Sequence, residues 1–191
     1  MLNLTHRNQI YIASILIFLL VITREFHFAS WHSLPGASWA VFFLAGFYLK
    51  PKWVLPGLLI LTWAIDYSAF KWGTGSDFCL TPAYAFLIPA YSALWLAGFW
   101  YARHYQFSLQ TLLPLMTSVF VGALLCELIS SGSFYLLSGY FSQPSLAEFV
   151  GREMVYFPAY LFSMVFYIAL AALIHIIFTV AKPARTSTKT S

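Results

Sequence analysis

Few residues in this 191-residue chain are able to do chemistry: six Asp or Glu, ten Lys or Arg, five His and two Cys. Cys79 is the sharpest of them. It lies in the connection Lys71-Trp72-Gly73-Thr74-Gly75-Ser76-Asp77-Phe78-Cys79-Leu80-Thr81-Pro82, where two glycines and a proline mark turns. A cysteine in such a place reads in two ways: a small buried hydrophobe, or a soft transition-metal ligand and reactive thiol. Cys126, next to Glu127 in an apolar run, reads as packing. Asp66, Glu127, Arg152 and Glu153 are ionisable groups within or beside apolar stretches. A charge there is costly and faces a partner or a cavity. They are either helix-locking ion pairs, such as Arg152 with Asp66 or Glu127, or the lining of a pocket. His27 reads as an interfacial residue, a hydrogen-bond donor or a metal ligand. His32, His104 and His175 have no partner at ligand spacing and read as structural.

The elements that must position these groups follow from composition. The chain is 61% apolar and only 8% charged, against about 25% charged in a soluble domain. That excludes a soluble globular domain, a disordered chain and a disulfide scaffold. Six apolar stretches cover residues 10–28, 37–49, 53–70, 83–101, 112–137 and 149–180. A membrane-spanning helix takes about 20 residues, and no stretch alternates in the manner of a β-barrel strand. The sequence therefore predicts an all-α membrane protein with six transmembrane helices in a single domain (residues 1–181), followed by a polar, disordered tail (residues 182–191). No A-x-A-like cleavage pattern follows the first stretch, which reads as a retained helix.

Charge placement sets the topology. With the N-terminus inside, the inner segments hold Arg7, Lys50, Lys52, Arg103, Lys182, Arg185 and Lys189, and the outer ends only Arg24, Lys71 and Arg152. This positive-inside bias predicts cytoplasmic N- and C-termini. It also gathers Arg24, Glu25, His27, His32, Asp66, Lys71, Asp77, Cys79, Tyr84, Glu148, Arg152 and Glu153 at the outer face, with Glu127 in the outer half of the fifth helix. The net charge of +4 sets topology and implies no nucleic-acid partner. The chain lacks G-x-x-x-x-G-K-[ST], H-E-x-x-H and G-x-S-x-G. It has no nucleotide site of its own, and no inverted repeat of the secondary-transporter kind is visible.

A six-helix chain of this length, with plain inner loops and an elaborate outer face, resembles an S-component of an energy-coupling-factor (ECF) transporter. Asp77-Phe78-Cys79-Leu80-Thr81-Pro82-Ala83-Tyr84, with His27, Asp66 and Arg152 around it, resembles more narrowly the BtuM family of cobalamin-specific S-components. The resemblance covers nearly the whole chain. It implies an S-component-like bundle in the bacterial inner membrane, multi-pass, with its binding face outward to the periplasm. It implies that Cys79 is the axial ligand of the cobalamin cobalt and supports decyanation of cyanocobalamin, with Tyr84, His27, Asp66 and Arg152 shaping the substrate site. It further implies an ECF module, one membrane coupling subunit and two ATPases, and release of ligand by toppling in the lipid bilayer. The A-x-x-x-A docking pattern of many S-components is absent from the first helix, where Ile17 follows Ala13. Small pairs occur instead at Ala64/Ser68 and Ala93/Ala97.

Two other classes compete with this reading. One is an intramembrane enzyme using Glu127, Glu153 and a histidine for acid–base or metal chemistry. The other is a sensory or structural membrane module in which every polar group is only an ion-pair partner.

Overall fold

The computed structural model describes residues 5–24, 36–72 and 81–180. These residues form six α-helices: α1 His6–Arg24, α2 Ser38–Tyr48, α3 Val54–Lys71, α4 Leu87–His104, α5 Leu112–Leu137 and α6 Leu146–Val180. Short 3-10 segments, Pro82–Phe86 and Leu109–Thr111, lead into α4 and α5. No strand occurs among the described residues. Five helices are long and apolar enough to cross a membrane, and α2, at 11 residues, is not. The chain is thus a multi-pass α-helical membrane protein in which α2 spans about 17 Å, little over half of the roughly 30 Å hydrocarbon layer.

The short helix is the centre of the bundle. Its sequence, Ser-Trp-Ala-Val-Phe-Phe-Leu-Ala-Gly-Phe-Tyr, is apolar on every face, the pattern of a helix enclosed by others. Val41 and Phe42 are fully buried and Phe43 nearly so. α1, α3, α4, α5 and α6 all pack on α2, α4 most extensively. The outward faces of the longer helices carry large exposed hydrophobics such as Phe18, Leu113, Phe162 and Phe178, which suit lipid.

α2 and α4 run in the same direction. Phe42 stacks on Tyr91 with ring centroids 4.4 Å apart, and five residues further along Phe47 stacks on Tyr101 at 5.1 Å. Two glycines let the backbones touch. A Cβ on Gly46 would overlap the carbonyl oxygen of Trp95, and one on Gly98 would overlap that of Phe43. Small residues serve membrane helices in this way, because close approach maximises packing where the lipid is as apolar as the partner. The theme continues onto α5, where Gly122 faces the Cβ of Ala97. Ala97, one of the small pair noted in the sequence, is therefore engaged inside the bundle.

The helix ends follow local chemistry. Ser145 precedes α6, and its Oγ accepts the backbone N–H of Glu148 at 3.2 Å, an N-cap. The Tyr135 hydroxyl, near the end of α5, accepts the Ser145 N–H at 2.9 Å and donates to the Glu148 carboxylate at 2.9 Å, which closes the α5–α6 turn. Pro56 sits in the first turn of α3, where its missing N–H has no intrahelical acceptor. Pro158 lies within α6, which continues through it.

Gly98→Ala and Gly46→Ala are expected to destabilise the protein by about 1–3 kcal/mol, the ordinary range for overpacking. Gly57→Ala on α3, whose added Cβ meets nothing, should be neutral or slightly stabilising through helix propensity. Thermal unfolding of detergent-solubilised protein, read by size-exclusion recovery, distinguishes the two outcomes.

Candidate functional site

The ionisable residues converge at the end of the bundle where α1 and α3 finish and α2 and α4 begin. Arg24 is the last residue of α1 and Asp66 lies five residues before the end of α3. Arg24 binds Asp66 in a two-pronged pair: Nε donates to Oδ1 at 2.5 Å and Nη2 to Oδ2 at 2.6 Å. Nη1 donates to Ser38 Oγ at 2.9 Å, at the start of α2, and to the Tyr91 hydroxyl at 3.1 Å, in the first turn of α4. The Tyr84 hydroxyl, on the 3-10 segment before α4, donates to Asp66 Oδ2 at 2.8 Å. The side chains of Arg24 and Asp66 are only 10% and 17% exposed. A planar guanidinium and a carboxylate in fork-to-fork contact form one of the stronger charge-assisted arrangements available to a protein.

The expected partner of Asp66 was Arg152 and the observed one is Arg24. Topology explains the difference, because α6, which carries Arg152, packs on α2 and α5. The Arg152 guanidinium lies over the rings of Phe141 (4.9 Å) and Tyr156 (5.8 Å), as a cation over aromatic faces. Glu127, the other expected partner of Arg152, is buried on α5. It accepts the Ser131 hydroxyl at 2.9 Å and lies within electrostatic reach of Glu153 on α6. Tyr160, one turn below Tyr156 on α6, lies within electrostatic reach of Glu127, Glu153 and Tyr91, which links this acidic pair to the Arg24 cluster. Trp39 packs on Phe157 and Tyr160 and forms an aromatic wall at the same end.

The structure thus joins two predicted site residues, Asp66 and Tyr84, and sets Arg152 in a separate aromatic environment. Cys79 and His27 lie outside the described residues, as do Glu25, His32 and Asp77. Thr81, two residues after Cys79, opens the 3-10 turn that carries Tyr84, with the Tyr84 N–H bonded to the Thr81 carbonyl at 3.0 Å. Arg24 is the residue of this cluster that the sequence does not single out. Its signal was available: topology sets Arg24 and Asp66 at one face, and by helix rise both stand about 20 Å or more above the opposite helix starts.

Among the described residues, no three His, Cys, Asp or Glu side chains converge as a metal centre. The acid–base alternative required a histidine beside Glu127 and Glu153. None of the described histidines supplies one. His104 sits over Trp100 at the other end of α4, and His175 lies near the far end of α6. Comparison with protein-family models and with curated proteins finds no match to this chain.

Removing one partner of a buried pair leaves the other charge uncompensated. Asp66→Asn is expected to destabilise by about 3–5 kcal/mol, more than the double replacement Arg24→Met/Asp66→Leu, which removes both charges. Tyr84→Phe, which deletes a single hydrogen bond to a carboxylate, should cost about 1.5–3 kcal/mol. Thermal midpoints of the purified variants give this ranking directly.

Proposed function

We propose that this protein is the substrate-binding membrane subunit for uptake of cobalamin, with Cys79 as the axial ligand of the corrinoid cobalt. The observation that carries the reading is the Tyr84–Asp66 bond. It fastens the 3-10 segment, which begins three residues after Cys79 in sequence, to the buried ionic cluster, so the described end of that connection lies where the polar residues of the bundle gather. A thiolate suits cobalt as a soft ligand, and coordination deprotonates a thiol. The Arg24–Asp66 pair acts here as a rigid base for the site rather than as a free ligand group, because both carboxylate oxygens are already bonded. Arg152, exposed and stacked on aromatic rings, is placed to meet polar edges of a large ligand.

The chemistry at Cys79 is a ligand exchange. Its sulfur forms a cobalt–sulfur bond, the cobalt–cyanide bond breaks, and cyanide leaves with the bonding pair and takes up the thiol proton as hydrogen cyanide. No oxidant or reductant is needed. With the N-terminus cytoplasmic, this end faces the periplasm of a bacterial inner membrane. Energy for release then comes from an ECF module, a coupling subunit with two ATPases, since the sequence has no phosphate-binding motif.

The nearness of the two carboxyl groups Glu127 and Glu153, within electrostatic reach of each other, favours a second reading, an intramembrane acid–base enzyme. It predicts bound zinc, or no metal, in the purified protein and no corrinoid.

Protein purified in the presence of cyanocobalamin is expected to retain a coloured corrinoid whose visible bands differ from those of the free vitamin. In Cys79→Ala the bands should revert toward the free form and cyanide should no longer be released. Identical spectra for wild type and Cys79→Ala would overturn the ligation.

A further inference from the structure

The opposite end of the bundle carries a second constellation, which the reading above does not use. Three polar aromatic groups meet there from three helices. His175 Nδ1 on α6 lies 3.2 Å from the Tyr48 hydroxyl at the end of α2, and Nε2 lies 3.0 Å from the Tyr105 hydroxyl just past α4. The triad lines a cavity of about 330 Å³, within the size range of small-molecule sites. Phe43, Phe47 and Ile168 give it apolar walls. Phe107, Leu109 and Leu112, which also line it, are highly exposed, an apolar surface suited to lipid.

Counting protons shows what the triad offers. A neutral imidazole has one N–H and one lone pair. The tyrosine at the lone pair spends its proton on the ring. The tyrosine at the N–H accepts from the ring and keeps its own O–H proton for use outside the triad. This holds for either tautomer, so the triad leaves one hydroxyl proton unspent beside a cavity whose other polar lining is Tyr101, Gln106, Ser108 and Thr111. An apolar surround makes an unsatisfied donor costly and an incoming acceptor correspondingly favourable. Among the described residues no Lys, Arg, Asp or Glu lines the cavity, which disfavours an ionic ligand. We infer that the cavity binds a neutral, largely apolar molecule with a hydrogen-bond-accepting carbonyl oxygen, which enters from the lipid and accepts a proton from Tyr48 or Tyr105.

Benzophenone, a neutral diaryl ketone, is a suitable probe, because irradiation attaches it to neighbouring C–H bonds. With the full chain in detergent micelles, labelling is expected to saturate and to map to peptides spanning residues 105–115 and 168–176. Tyr48→Phe/Tyr105→Phe should raise the half-saturating concentration about two- to tenfold, the equivalent of one hydrogen bond. Leu112→Trp, which keeps the triad and fills the mouth, should lower the plateau of labelling, and it stands alone as the test should the double variant fail to elute as a single species. Labelling that rises linearly and spreads evenly over the lipid-facing helices overturns the proposal. So does a plateau unchanged in Leu112→Trp.

Discussion

The Arg24–Asp66 pair organises one end of this molecule. In water such a pair contributes little, because solvent competes for both charges. At the edge of hydrocarbon the alternative is an unpaired ion, so the two groups must find each other. Arg24 uses four of the five N–H donors of a guanidinium, on Asp66, Ser38 and Tyr91. That one side chain fixes the end of α1 against the start of α2, the last turns of α3 and the start of α4. Tyr84 adds the 3-10 segment through the same carboxylate. Helices α5 and α6 stand outside this set and close on each other through Tyr135, Ser145 and Glu148.

The shortness of α2 explains why polar groups collect where they do. A helix of 11 residues is too short to cross the hydrocarbon layer, yet its terminal N–H and C=O groups, buried in the bundle, still need partners. At its first end the buried N–H of Ala37 is taken by Thr23 Oγ1 at 3.2 Å, while the Thr23 hydroxyl donates back to the Leu19 carbonyl at 2.8 Å. Ser38 meets Arg24 at the same level. At its far end Tyr48 meets His175. The two polar layers of the bundle are thus the two ends of its buried central helix. Gly46 and Gly98 hold the apolar part between them at backbone contact with α4.

Much of this was legible in the sequence. Helix α5 runs over the residues its apolar stretch marked, and α2 begins one residue inside its own. Apolar runs are local signals, set by what hydrocarbon tolerates. The partner of Asp66 was a different kind of question. Arg24 and Arg152 both satisfy the charge requirement, and only the packing of α6 against α2 and α5 separates them. His175 shows the same limit. No residue near it in sequence reveals a partner, because Tyr48 and Tyr105 are 127 and 70 residues away along the chain. Pairings of that kind are decided by which helices neighbour each other, information that periodicity does not hold. Cys79 and His27 lie outside the described residues, and their roles follow from motif and resemblance alone.

The two ends differ in chemistry as well as position. One is ionic and closed by an internally compensated pair. The other is neutral, held by hydroxyls and an imidazole around a cavity. In a bilayer this division has a physical consequence. Exposing an isolated charge to lipid is expensive, but Arg24 and Asp66 travel together and are largely screened from the surface. Near the start of α6 both Glu148 and Arg152 lie exposed; Glu148 accepts the Tyr135 hydroxyl, and Arg152 covers its charge with the faces of Phe141 and Tyr156. Internal pairing at Arg24 therefore does two things at once. It braces the ends of four helices and the 3-10 segment that carries Tyr84, and it keeps two of the chain's few charges off the lipid-facing surface.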